Sequence, residues 1–306
     1  MTLQYKKLNN IIGWMVFAIA TLVYVLTLEP TTGWWDCGEY ISTAYKLEVG
    51  HPPGAPLFQL LGRFFTLFAF GDTANVAYMI NLMSALSSSF TILFLFWSIT
   101  MLAKKLVGGT EMTDSKAYSI FASGIVGALA FTFTDSFWFS AVEGEVYAMS
   151  SLFTAAVFWA ILKWEEVSDT PYANRWLILI AYLMGLSIGV HLLNLLAIPA
   201  ITYVVYFKKY KKIDLKGFVL VGFIGIALLS VIMYLIIPLT VKTAGSFELF
   251  FVNSLGLPFN SGSLIFFTIL IAAIAWAWRF TYKRRYQVAH IFVIGITFIM
   301  IGYSSF

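Results

Sequence analysis

The chain returns repeatedly to apolar runs long enough to cross about 30 Å of hydrocarbon. They lie at residues 11–28, 76–103, 118–134, 145–162, 217–239, 262–278 and 287–306. A longer stretch, Trp176 to Phe207, reads two ways. As one crossing it would put Arg175 and the basic run Lys208 to Lys212 on opposite sides, against the usual confinement of basic loops to one face. Two short helices that bend near Gly189 to Asn194 remove the conflict and leave His191 and Asn194 near the side opposite the basic loops. The expected fold is an all-α, polytopic transmembrane bundle of about nine crossings, one domain over 1–306. With 60% hydrophobic and only 11% charged residues, the composition agrees.

Charge then orients the bundle. With the N-terminus inside, sixteen of the nineteen Lys and Arg fall inside, and only Lys46, Arg63 and Lys242 outside. Nine acids fall outside and six inside, so the outer loops carry −6 and the inner ones +10. A net charge of +4 might suggest a nucleic-acid binder, but the basic residues sit in short loops where orientation explains them, and nucleic acid is rejected. The first run follows Lys6 and Lys7 as a signal peptide would, but its core of about eighteen residues exceeds the usual h-region and reads as a retained helix. The lone Cys37 allows no intramolecular disulfide. Because the chain stops at SSF as the ninth run ends, a C-terminally truncated sequence is expected.

The first outer loop, about 29–75, carries helix punctuation. Asp36 could cap a helix whose third residue is Glu39, with Gly50 closing it and Pro52 and Pro53 stopping it. A second helix could run from Pro56 to Gly71, lying in the membrane interface with Arg63 at headgroup depth. On this reading Asp36 and Glu39 form a capping box, and Trp34 and Trp35 are belt aromatics. Yet Ser or Thr would cap without bringing a full charge to a low-dielectric boundary. The second outer loop repeats the oddity with Glu143 and Glu145 at the start of a crossing, where the helix dipole favours anions by roughly 0.3–1 kcal/mol. Taken together, the two loops bring at least four carboxylates to one face.

The order of a first transmembrane helix, then WDCGEYISTAYKLEVGHPPGAPLFQLLGRFF, then an acidic second outer loop resembles the GT-C superfamily of membrane glycosyltransferases, most closely a bacterial branch related to protein O-mannosyltransferases. The likeness is sharpest over residues 34–63, where Asp36, Tyr40, Pro52 and Pro53 match the family's order. It implies a sugar taken from a polyprenyl-phosphate donor and passed to a protein or lipid hydroxyl at the outer, periplasmic face of a bacterial inner membrane. Cys37 departs from the pattern, since many members have a second acid there, so Glu39 or a second-loop Glu must supply the other carboxylate.

Substitution at an anomeric carbon needs a base for the acceptor hydroxyl and a cation for the departing phosphate. Asp36 is the expected base, beside Glu39, Glu143 and Glu145. Arg63 is the expected phosphate contact, followed by His51 and His191 and then Lys242. Each has a bland reading as well: Arg63 as a snorkelling side chain, His191 as a hydrogen-bonded turn residue, His51 as a loop residue. No cofactor is expected; a carboxylate-bound divalent metal is left open. The rival class is a transporter or lipid flippase, which would place ionisable residues near mid-depth in interrupted helices. The expected partners are the lipid-linked donor, a protein or lipid acceptor and membrane lipids.

The charge count predicts that loops 29–75 and 135–144 share the outer face. In intact cells an impermeant thiol reagent should label Asp72→Cys and leave Lys209→Cys unlabelled; the reverse pattern contradicts the orientation.

Overall fold

The computed structural model describes residues 2–52, 54–108 and 112–303; Pro53, one of the two expected helix stops, and the last residues to Phe306 lie outside them. Among the described residues every regular element is helical. In chain order these are α1 (Thr2–Leu26), α2 (Cys37–Lys46), α3 (Pro56–Thr66), α4 (Val76–Val107), α5 (Asp114–Thr132), α6 (Asp135–Ala141), α7 (Val146–Val167), α8 (Asn174–Ile188), α9 (Ala197–Lys209), α10 (Leu215–Val231), α11 (Ile237–Leu249), α12 (Ser261–Lys283) and α13 (Gln287–Tyr303).

Six helical segments of the described chain are long and apolar enough to cross a membrane, and a seventh if α5 and α6, bent by 69°, count as one span. The expected polytopic all-α bundle is thus present, with the expected nine apolar segments made up of these seven and two shorter helices, α8 and Ala289–Tyr303. A 15-residue helix such as α8 rises only about 22 Å, less than the hydrocarbon thickness.

α4 is the hub. Some 67% of its membrane window is buried, against 6% for α12, and it packs on α1, α5 and α7. Its small hydroxyl residues allow close approach, and Ser87, Ser89 and Thr91 satisfy themselves on the carbonyls of Met83, Ala85 and Ser87. Beyond α7 the chain continues through α8 and α9, with α13 against α8 and α10 against α9.

The long apolar stretch does break. α8 ends at Ile188, a 3₁₀ turn covers Leu192–Leu196, and α9 follows. Buried Asn194 holds the break by donating from Nδ2 to Ser187 Oγ at 2.9 Å. By contrast, residues 215–254 run as one helical segment, where the sequence suggested a crossing that ends near 239. Pro238 lacks an N–H and crowds the turn before it; a π-helical turn at Ile232–Ile236 absorbs the mismatch, so the helix continues.

In the first outer loop both expected helices form, with shorter bounds. α2 stops at Leu47, which takes a left-handed conformation at φ 54°, so Leu47 rather than Gly50 closes it. α3 extends by a 3₁₀ turn through Ala69. A cluster of Tyr40, Ile41, Ala44, Phe58, Ile80, Val146, Met149 and Val190 packs both loop helices onto α4, α7 and the helix break.

Where α8 crosses α13 the backbones nearly touch: a β-carbon on Gly185 would run into the Ile299 carbonyl, and one on Gly302 into the Tyr182 carbonyl. Gly185→Leu is therefore expected to separate the pair and destabilise the bundle by about 1–3 kcal/mol. A thermal melt in detergent checks it; an unchanged Tm would contradict the close crossing.

Candidate active site

Asp36 occupies the N-cap position of α2, but its φ and ψ of −84° and −2° are helical and its side chain makes no cap bond. Glu39 turns forward instead of back. It accepts from the His51 backbone N–H at 2.6 Å and meets His51 Nδ1 at 3.1 Å. The capping box is thus not formed, and the pair is free of the role that the spacing suggested. These His51 contacts, the backbone bond foremost, hold the Glu39 carboxyl below the usual range. Asp36, Glu39 and His51 together form an exposed set whose ligand atoms lie within 4.8 Å of one another.

Directly beneath lies a second, buried set. Glu143 and Glu145, 3% and 8% exposed, stand in the turn between α6 and α7, where the Glu145 N–H donates to the Glu143 carbonyl at 2.9 Å. Neither carboxyl has an ion-pair partner among the described residues. The fully buried Cys37 thiol donates to Glu143, and the three ligand atoms lie within 4.8 Å. Burial, followed by the two glutamates, pushes the thiol up to about 12, so it stays protonated and acts as a donor. Burial pushes Glu145 up to about 7, with further contributions from Glu143 and Asp36. Glu143 is raised as well, mainly by burial, against the lowering effect of the Cys37 hydrogen bond.

α4 supplies the anchor. Buried Asn81 donates from Nδ2 to the carbonyls of Glu29 and Thr31 at 2.7 and 2.9 Å, tying the start of the loop down. Its Oδ1 has no partner and faces Gly144, where a β-carbon would meet it at 2.9 Å. Gly144 between the two acids thus lets the turn lie flat on α4.

Tyr40 joins the two sets. Its ring packs on His51 and Phe58 at 5.7 and 5.4 Å. Burial pushes its hydroxyl up to about 12, with the charges of Glu145, Asp36, Tyr147 and Glu39 adding to the shift. Tyr147, in the first turn of α7, packs with its ring 5.5 Å from the His191 ring, tilted by 51°. His191 Nδ1 accepts from the Leu193 N–H at 3.1 Å, which leaves the proton on Nε2, and burial lowers its pKa so that the ring is neutral. α3 docks on the same break: Leu57 N and Phe58 N both donate to the Gly189 carbonyl, at 2.7 and 3.3 Å.

The structure therefore gathers Asp36, Glu39, His51, Glu143 and Glu145, with His191 next to them through Tyr147. Arg63 stands apart. Its guanidinium donates to the Tyr45 carbonyl at 2.8 Å and lies 5.3 Å over the Tyr45 ring, at the far end of α2. Nine residues of helix put that end roughly 13 Å from Asp36. Lys242 lies on α11, packed with α12. Sequence reasoning missed Tyr147, Asn81 and the thiol donor Cys37. Asn81 was detectable as an amide in an apolar run, whereas Tyr147 looked like one aromatic among many.

Residues 36–214 match the family described as the protein O-mannosyl-transferase TMEM260 N-terminal domain. A Mus musculus protein named protein O-mannosyl-transferase TMEM260 is 32% identical over 174 residues, covering 56% of this chain and 22% of that protein. The Dictyostelium discoideum protein of that name is 29% identical over 141 residues, 46% of this chain and 15% of its own length. The chain thus spans less than a quarter of the length of these relatives. No solved structure matches it.

A carboxyl whose pKa rises on folding favours the folded state while it is protonated. For Glu145 that stabilisation is complete below its ordinary value of 4.5 and is lost as pH rises through about 7. The Tm is expected to fall across this interval in the wild type and to lose most of that slope in Glu145→Gln. Parallel curves for the two proteins would contradict the assignment.

Proposed function

The chain belongs to the protein O-mannosyl-transferase TMEM260 N-terminal domain family, and from that membership we propose that it moves a mannosyl group from a polyprenyl-phosphate donor to a protein hydroxyl. The observation that carries this reading is the juxtaposition of Asp36, whose carboxyl makes no cap bond, with two buried glutamates that lack counter-ions. A carboxylate buried without a counter-ion is costly to keep ionised, and Glu145, raised to about 7, suits proton transfer near neutral pH.

In this reading Asp36 takes the proton of the acceptor hydroxyl as its oxygen bonds to the anomeric carbon, and the bond from that carbon to the phosphate oxygen breaks. Glu145, with a pKa near neutrality, donates a hydrogen bond to the bound sugar while protonated, which also limits repulsion from Glu143 and Asp36. The imidazoles of His51, beside Glu39, and of His191, beside Tyr147, donate to the leaving phosphate. Arg63 serves the same phosphate only if the lipid lies along α2; in its present contacts it buttresses that helix. No step is assigned to a metal, although both ligand sets have the reach to hold one.

The acid end is proposed to face the periplasm or its equivalent, since the basic residues gather at the opposite end, and the bacterial branch belongs to this same proposal. The helix break at Gly189 is the feature that a transporter would share. Here the freed carbonyl is taken up by the α3 amides, which suits a fixed platform better than an ion path.

Transfer is measured from a polyprenyl-phosphate mannose donor to a serine- and threonine-bearing peptide. Asp36→Asn should lower turnover by about 10²-fold or more with an unchanged melting curve. Near-normal transfer by this variant would remove Asp36 from the chemistry.

A further inference from the structure

The segment from Gly33 to Cys37 lies at both ends against one buried side chain, Glu143. At its start the Gly33 backbone lies so close over Glu143 that a β-carbon there would meet Oε2 at 2.5 Å. At its end the Cys37 thiol hydrogen-bonds to the same carboxyl. Between these points the chain has to arch, and Trp35 makes the turn with φ at 60°. A bulky side chain holds that conformation only where its surroundings enforce it. As a result Trp34 and Trp35 stand out from the arch, 80% and 88% exposed, with Asp36 immediately after them. Trp14 and Trp276 are exposed too, but they lie on membrane-spanning helices; this pair lies in the loop immediately before Asp36.

A pair of exposed indoles in the loop that carries Asp36 fits a pyranose ring. The C–H face of a pyranose is apolar and carries the partial positive charge that an aromatic face attracts, while its rim hydroxyls donate to carboxylates. We propose that Trp34 and Trp35 form a stacking platform that holds a pyranose ring over Asp36 and the Glu143–Glu145 turn. This rests on the mannosyl-transfer reading and names the surface that holds the ring. The ring belongs either to the lipid-linked donor or to a sugar already on the acceptor, and the two sources are separable.

The test uses the whole chain in lipid nanodiscs. Subtracting the emission of the Trp34→Ala/Trp35→Ala double variant from that of the wild type isolates the two indoles. Methyl α-mannopyranoside should change this difference spectrum and the open-chain mannitol should not. Asp36→Asn should keep the response while losing transfer, so binding is read separately from turnover. In steady-state transfer Trp35→Ala should raise one KM about tenfold, equivalent to ~1.4 kcal/mol, with kcat nearly unchanged, and Trp35→Phe should restore most of the loss. A rise for the donor assigns the ring to the donor; a rise for a mannosylated peptide assigns it to the acceptor. Trp35→Gly, suited to the positive φ, provides a second variant that keeps the arch. An emission difference that ignores the mannoside, or that brominated lipids quench instead, overturns the platform and makes the pair a bilayer anchor. Unchanged KM values for both substrates overturn it as well.

Discussion

Two buried glutamates with no cation beside them among the described residues impose a constraint on everything around them. An ionised carboxylate out of water is costly unless it is paired, and the usual remedy is a lysine or arginine. Here the remedy is different: Cys37 gives one hydrogen bond to Glu143, and Glu145 shifts towards its protonated form. The Glu143 charge beside it adds to burial in keeping Glu145 protonated towards neutral pH.

The scaffold keeps this arrangement from relaxing. Asn81 on α4 ties the loop start to the bundle, Gly33 lets the loop backbone lie against Glu143, and Gly144 lets the turn between the acids lie against Asn81, Ile41 and Ile80, where a side chain would collide. α2 and α3 roof the turn, with Gln59 Nε2 donating to Thr43 Oγ1 at 3.2 Å between them. α3 in turn rests on the Gly189 carbonyl, which only a broken helix exposes. The break is thus a structural partner of the loop, and the loop covers the acids. Charge at the other end is handled in the ordinary way: Lys105 pairs with Glu165, Lys163 with Glu166 and Lys208 with Asp169.

Much of this was legible from residues whose cost in a membrane is high. The bend at Gly189 followed from the parity of basic loops, and four carboxylates in two loops pointed to a shared face. What failed was local pattern reading. Spacing alone made Asp36 and Glu39 a capping box, because nothing in the sequence reveals that His51, twelve residues on, competes for Glu39. Arg63 looked free for a phosphate because its acceptor, the Tyr45 carbonyl, is a backbone atom eighteen residues earlier, and backbone atoms leave no mark in a sequence. The apolar run 217–239 looked like a whole crossing because the π-helical turn at Ile232–Ile236, through which the helix continues past it, has no compositional signature. The arch at Trp35 was hidden for the same reason: a left-handed tryptophan is a property of the two contacts with Glu143.

The protonation state of Glu145 decides whether this turn is a reactive centre or a passive one. Infrared difference spectroscopy on the intact chain, comparing wild type with Glu145→Gln, reads it from the carboxylic C=O band. A band that titrates near pH 7 and is absent from the variant is the expected result. A wild-type spectrum in which the band has already vanished near the ordinary value of 4.5 would mean that Glu145 is solvated or paired, and would contradict the buried, uncompensated pair.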